Sequence, residues 1–432
     1  MGTRTPAAER LNRMALSNYY ETTARYDATT APLEGDLRCD VAIIGAGMTG
    51  CSAALHLAER GYRVVVLEGE RIGFGASGRN GGQVLPGFAA DLGKLRRLAG
   101  DSVAKALWEM SLEAVDLVHA QIARFAMPCD PRRGYLHVAV KDRQVGELEA
   151  WQRELEALGL EGFRLLRGAA LQERLRSPRY LAGLLDPVAG HIHPLNYTLG
   201  LAHAAMAAGA VIHTGTRVAS ITSGDEVVLK TARGSVRTGH LLICGNAYLG
   251  TLVRPIAGYV MPVGTYIVAT EARADVRDLI PHDEAVADLN FVLDYFRRSA
   301  DDRMLFGGRV SYSTLPPPNL GAAMLARAKR AFPQLADARA EHVWGGNVAI
   351  TRNRLPHFGR LGRNVLFAQG FSGHGVALTG LAGRLMAEAV AGRAERFDTF
   401  TRIPHARFPG GPLLRMPTLV LATSWFRLRD ML

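Results

Sequence analysis

Four cysteines, Cys39, Cys51, Cys129 and Cys244, are all that the 432 residues contain, spaced 12, 78 and 115 apart. Such spacing offers neither a CxxC pair nor a zinc-ligand cluster, which excludes a disulfide framework and a cysteine-based metal centre; a reduced, cytoplasmic protein is expected. Lysine is also scarce, five of the 51 basic residues, and no more than two basic residues ever stand adjacent. The formal charge of +11 is therefore spread through every segment, and no nucleic-acid partner is expected. Nor is there any apolar run near the roughly 18 residues that cross a bilayer. Residues 1–38 hold no apolar stretch of signal-peptide length, so neither membrane spanning nor secretion is expected. Hydrophobic residues make up 48% of the chain and charged ones 21%, which excludes disorder. A chain this long points to two domains around a large core, hiding roughly 75% of the unfolded surface.

What is present begins, after a polar stretch over 1–36 read as an arm lying on the surface, with regular structure from Asp40. Val41 to Ile44 is a short apolar run and Gly45 to Gly50 a turn. Met48, Cys51, Ala54, Leu55 and Ala58 then recur at helical spacing until Gly61, and Arg63 to Leu67 supplies a second strand. Strand, tight turn, helix and strand form a βαβ unit, whose crossover makes its strands parallel. Residues 96–185 read as helices with one hydrophobic strand, Tyr135 to Val140, and interrupt this pattern. Short strands follow between Val211 and Cys244, the last running into Gly245. The same strand-into-glycine junction recurs where Val365 to Ala368 meets Gly370, Gly373 and Gly375, ahead of an apolar helix reaching about Val390. The three junctions predict one nucleotide-binding domain assembled from separated segments. The only biased segment is the Pro316-Pro317-Pro318 loop.

Gly45-Ala46-Gly47-Met48-Thr49-Gly50 matches G-x-G-x-x-G in the required context of strand, turn and helix. Its glycines permit the tight turn, the approach of backbone to a pyrophosphate and close helix-on-strand packing. Glu68 follows at the end of the second strand, where a carboxylate accepts hydrogen bonds from an adenosine ribose. Nicotinamide and flavin dinucleotides share this fingerprint, so the choice rests on the run from Arg71 to Gln83, small and rich in backbone donors. It suits a second pass along an extended pyrophosphate toward a bulky ring.

These residues resemble the FAD-dependent oxidoreductases of the D-amino-acid oxidase and sarcosine oxidase type, and within them the bacterial gamma-glutamylpolyamine oxidases, gamma-glutamylputrescine oxidases included. The likeness runs through Ser17 to Tyr20, Ile72 to Gln83, Gly190 to Asn196, Gly245 to Gly250, Leu293 to Arg297, Gly370 to Val376 and Phe408 to Gly411. It implies an α/β fold: a discontinuous Rossmann-like FAD-binding domain (37–95, 186–255 and 345–400) with an inserted α+β substrate domain (96–185 and 256–344). An N-terminal arm (1–36) and a C-terminal extension (401–432) complete the expected organisation. Gly45, Ala46, Gly47, Met48, Thr49, Gly50, Glu68 and Gly69 would hold the ADP half, with Arg71, Ala76 and Ser77 near ribose or pyrophosphate, Val218 at adenine and Gly245 beside them. Gly78, Arg79, Asn80, Gly81, Gly82 and Gln83 would line the isoalloxazine ring. Gly370, Ser372, Gly373, His374, Gly375 and Val376 would approach its pyrimidine side. Sarcosine-oxidase relatives often tether flavin to a cysteine in the C-terminal third; this chain has none after Cys244, so non-covalent FAD is expected.

The activity the resemblance implies is oxidation of an amine by hydride transfer to flavin, with a gamma-glutamylated diamine as substrate and oxygen or another acceptor taking the electrons. Arg79 and His374 are the first candidates for contact with the reacting centre. Asp294-Tyr295-Phe296-Arg297 alternates as a strand does, placing Tyr295 and Arg297 on one face, with Arg297 a candidate partner for the glutamyl carboxylate. His191 and His193 either face the flavin or hydrogen-bond their own turn, and Trp344 is either a wall against the ring or a core residue. An amino-acid or N-methyl amine dehydrogenase and a non-catalytic flavin-binding partner are the alternatives. The basic amphipathic stretch from Met416 to Leu432 is expected to cap the protein's own core or a partner subunit, docking on a membrane being the alternative.

Overall fold

Residues 18–290, 292–311 and 319–409 are described by the computed structural model of the chain. Ser17, the Pro316–Pro318 loop, Gly410, Gly411 and the amphipathic stretch from Met416 lie outside them.

The strand Gly35–Ile44 starts exposed and buries both its faces from Val41 onward, which is why Val41 to Ile44 reads as an unbroken apolar run. Val41 and Ile43 face the helices Met48–Ala58, Pro194–Ala207 and Val376–Val390. Ala42 and Ile44 face Leu33, Val227, Leu229 and Val236 on the other side. Around this strand an eight-stranded sheet forms in the order His357–Arg360, Val365–Gln369, Gly234–Ile243, Gly35–Ile44, Val64–Leu67, Val211–His213, with the hairpin Ser220–Thr222 and Val227–Lys230 attached. Its four central pairings are parallel, as the βαβ expectation requires. Gly45, Gly245 and Gly370 thus follow three adjacent strands at one edge of the sheet.

A second, nine-stranded sheet runs Ala340–Ile350, Met261–Thr270, Met304–Ser311, Tyr295–Arg298, Ala285–Asp288, Arg132–Ala139, Ala182–His191, Gln83–Val84, with Arg164–Arg167 beside Ala182–His191. All its pairings are antiparallel except that of Ala285–Asp288 with Arg132–Ala139. Phe296, Phe306 and Val268 on its inner face pack on Met324, Ala328 and Ala331 of the helix Leu320–Ala331.

Several expectations are corrected. Regular structure starts with the short helix Tyr19–Thr22 and with strand residue Gly35, before Asp40. The arm does not merely lie on the surface: Tyr19, Tyr20 and Leu33 are buried, because two aromatic rings and a leucine gain more from the core than from solvent. Residues 96–185 hold strands Arg132–Ala139 and Arg164–Arg167 and the start of Ala182–His191, not one strand. The helix Asp101–Arg124, with Ala104, Leu107, Ala114, Val115 and Val118 on one stripe, packs in the same core as the helices of the first sheet. Residues 345–350, expected in the cofactor domain, belong to a strand of the second sheet.

Candidate active site

At the carboxyl edge of the first sheet a cavity of about 420 Å3 is lined by Gly45, Gly47, Glu68, Gly69, Ala76, Ser77, Val218 and Gly245 of the expected set. The glycines there are set by space. A Cβ on Gly50 would stand 1.9 Å from the carbonyl oxygen of Gly45, and one on Gly47 would stand 2.8 Å from Ser77 Oγ. Ser77 Oγ accepts from the Met48 amide at 3.0 Å, so a polar group already sits at the mouth of the helix Met48–Ala58. Glu68 accepts from the Ala46 amide at 2.7 Å and from the Glu70 amide at 2.9 Å. Burial nonetheless raises its pKa above the ordinary glutamate value. Ala46, Met48, Thr49 and Gly50 turn into the core and shape the cavity without lining it. Cys244 does line it, its thiol pushed up to about 12 by burial.

A second cavity, about 710 Å3, shares Ala76 with the first and opens between the two sheets. Arg79, Asn80, Gly81, Gln83, Tyr295, Ser372, Gly373, His374 and Val376 line it, so the Arg71–Gln83 run and the last glycine junction do converge. Arg79 donates to the carbonyls of Phe74 at 2.8 Å and Gly345 at 3.2 Å, and its guanidinium lies 4.9 Å from the Phe74 ring centroid. His374 Nε2 donates to the Pro86 carbonyl at 2.8 Å, which leaves Nδ1 as the acceptor; burial lowers its pKa to about 4, so the ring is neutral at pH 7. The Tyr295 hydroxyl has no hydrogen-bond partner among the described residues and is held protonated by burial.

The structure sets other candidates apart. Arg297 shares a strand face with Tyr295, but its guanidinium is buried and committed to the carbonyls of Gly81 (2.8 Å), Ile192 (3.1 Å) and Arg298 (3.1 Å) and to the Tyr20 hydroxyl (3.2 Å). It braces the loop and is not placed to pair with a substrate carboxylate. His193 caps its own helix through the Asn196 amide at 3.1 Å and meets Thr23 at 3.0 Å, burial lowering its pKa to about 3. His191 bonds the Asp283 carbonyl at 2.8 Å. Trp344 is a core residue whose indole donates to the Arg79 carbonyl at 3.0 Å. Arg71 is paired with Glu21, and it lines neither cavity; nor do Gly78, Gly82, Gly370 and Gly375, which form the turns.

Residues that sequence reasoning missed complete the second cavity. Tyr135, whose hydroxyl donates to Gln83 Oε1 at 3.1 Å, comes from a distant strand, and Arg352 follows the strand Ala340–Ile350. Arg79, Arg352 and Arg354 are its charged lining groups; no carboxylate lines it among the described residues.

A parallel sheet with two glycine-tipped strands, ending in Gly45 and Gly245, at one cavity, joined to a second cavity against an antiparallel sheet, defines a dinucleotide-binding oxidoreductase. Residues 40–389 match the FAD dependent oxidoreductase family, to which the chain therefore belongs. It is 41% identical over 419 residues to the gamma-glutamylputrescine oxidoreductase of Escherichia coli K12, covering 96% of this chain and 98% of that protein. A probable oxidoreductase of Haemophilus influenzae is 37% identical over 421 residues, covering 96% and 97%. Among solved structures, glycine oxidase from Geobacillus kaustophilus superimposes with a TM-score of 0.70 at 24% identity over 83% of this chain and 95% of that one, which shows the shared fold. The residues present fit FAD: the first cavity has the glycine cradle and a buried acid, and its junction with the second at Ala76 gives an elongated cofactor a continuous path.

Proposed function

We propose that this FAD-dependent oxidoreductase oxidises the amine of a gamma-glutamylated diamine such as gamma-glutamylputrescine. The carrying observation is the charge of the second cavity, which among the described residues is lined by arginines and no carboxylate. A free diamine, doubly cationic at neutral pH, gains nothing from such a lining. A gamma-glutamylated one brings a carboxylate for an arginine to hold, and nearby cations favour the neutral form of its amine, the form that can lose hydride.

Cavity shape supports an elongated substrate. Gly346, Val348 and Ile350, alternate residues of one strand, line a wall between the Arg79 end and Arg352. Four residues of strand span about 13 Å. Arg352, exposed and bonded only to the Arg407 carbonyl at 3.3 Å among the described residues, would take the glutamyl carboxylate. Met261, Val263 and Val348 would exclude water along the aliphatic chain, and the Tyr295 hydroxyl and His374 would orient the amine.

The glycine cradle and Glu68 would hold FAD and residues 78–83 would border its ring; bound there, the cofactor would supply the acceptor for hydride from the carbon beside nitrogen, the imine product hydrolysing to aldehyde and ammonia, with oxygen (giving hydrogen peroxide) or another acceptor taking the electrons. Steady-state kinetics of Arg352→Ala test the assignment. Its KM for gamma-glutamylputrescine should rise about 10- to 100-fold with kcat within a few-fold, the signature of lost uniform binding. An unchanged KM contradicts it.

A further inference from the structure

The family match begins at residue 40, yet the chain before it reaches the loop at residues 78–83. Asn18 Nδ2 donates to the Gly78 carbonyl at 3.1 Å and to Glu21 Oε1 at 3.0 Å. The Glu21 carboxylate in turn pairs with Arg79 at 3.4 Å and with Arg71. Tyr20, fully buried, accepts from Arg297, which holds the Gly81 carbonyl. Its ring also stands edge-on to Trp344, with centroids 5.3 Å apart, and that indole holds the Arg79 carbonyl. Three residues that precede the matched range, Asn18, Tyr20 and Glu21, therefore grip the loop, directly or through one intermediary, at residues 78, 79 and 81.

We propose that Asn18–Thr23 is a clasp that fixes the cofactor loop, with Glu21 as the positioning residue that keeps Arg79 at the cavity wall. This rests on the reading that residues 78–83 lie against the flavin, and on nothing about the substrate. The segment is anchored firmly enough to act so. Thr23 meets His193 at 3.0 Å, the Arg25 amide donates to Asn196 at 2.9 Å, and the Thr30 amide to Thr214 at 2.8 Å. Arg71 and Arg79 lie 5.2 and 4.9 Å from the same Phe74 ring centroid, and two like charges so placed repel. Among the described residues Glu21 is the carboxylate that pairs with both. Without its charge Arg79 keeps only carbonyl partners and is pushed by Arg71.

The test uses the holoenzyme with Glu21→Gln, the charge-preserving Glu21→Asp, and Glu34→Gln as control, since Glu34 pairs with exposed Arg233 further along the same arm. Visible circular dichroism of the bound flavin, the rate of FAD release after dilution, kcat, KM and Tm are read together. Glu21→Gln should alter the flavin dichroism, speed FAD release about ten-fold and lower kcat about ten-fold with KM within about two-fold. Glu21→Asp should restore most of each change, and Glu34→Gln should change none. Tyr20→Phe, which removes only the hydroxyl held by Arg297, should shift dichroism and release in the same direction and gives a second readout if Glu21→Gln folds poorly. Dichroism, release rate and kcat all within about two-fold of the parent overturn the clasp, as does a loss of Tm alone. The dichroism and release signals need no substrate, so a wrong substrate assignment leaves them intact.

Discussion

The two glycines flanking Met48 and Thr49 carry different burdens, and substitution separates them. A Cβ at Gly47 meets Ser77 Oγ, the end of a side chain that can rotate, whereas at Gly50 it meets the Gly45 carbonyl, which cannot. Gly47→Ala should therefore fold with near-parental Tm but lose FAD affinity by about ten-fold or more, read by flavin release. Gly50→Ala should cost about 3 kcal/mol or more in unfolding experiments. Both positions were legible in the sequence because the glycine spacing and the following helix describe the turn that forms. Arg297 was not. Its alternation with Tyr295 predicted the shared face, but only three-dimensional contacts show that backbone carbonyls and Tyr20 already consume its donors.

Among the elements, the turn between the strands Ala285–Asp288 and Tyr295–Arg298 borders the second cavity and is built on a buried acid. Asp288 accepts from the amides of Asn290 and Asp294, each at 3.1 Å, and has no ion pair among the described residues. Burial, aided by the nearby Asp294 carboxylate, raises its pKa to about 7. The folded state thus holds this proton more tightly than the unfolded chain, so the stability it contributes is complete below about pH 4 and is lost as pH rises to about 7. Asp288→Asn should remove that part of the slope of Tm against pH over the same interval; parallel Tm curves for parent and variant contradict the assignment. Elements with one clean period were readable: the helix Val376–Val390 and the parallel strands came out as expected. The strand Ala182–His191 was hidden, because Asp186 and Pro187 interrupt it. The Asp186 carboxylate takes the amides of Val188 and Ala189 at 2.9 and 3.0 Å where the register with the neighbouring strand shifts.

At the scale of the molecule, two sheets meet along a path that runs from the glycine cradle past Ala76 to a cavity whose charged lining, among the described residues, is arginine. The cofactor half of that path was largely legible in local motifs. The substrate half was legible only at Arg79, Tyr295 and His374; Tyr135, Met261 and Arg352, which converge there from three separate strands or their ends, were not. Cys244 reaches the first cavity, where burial pushes its thiol up to about 12, and we propose that the flavin is bound without a covalent link. Acid precipitation should leave the yellow colour in the supernatant; a yellow pellet contradicts non-covalent binding. Most direct of all is anaerobic mixing of the purified holoenzyme with candidate amines while the flavin absorbance is followed. Gamma-glutamylputrescine should bleach it while putrescine, glycine, sarcosine and D-alanine do not. Bleaching by the small amino acids and not by the gamma-glutamylated amine, or by none of them in a protein that dithionite reduces normally, would contradict the account.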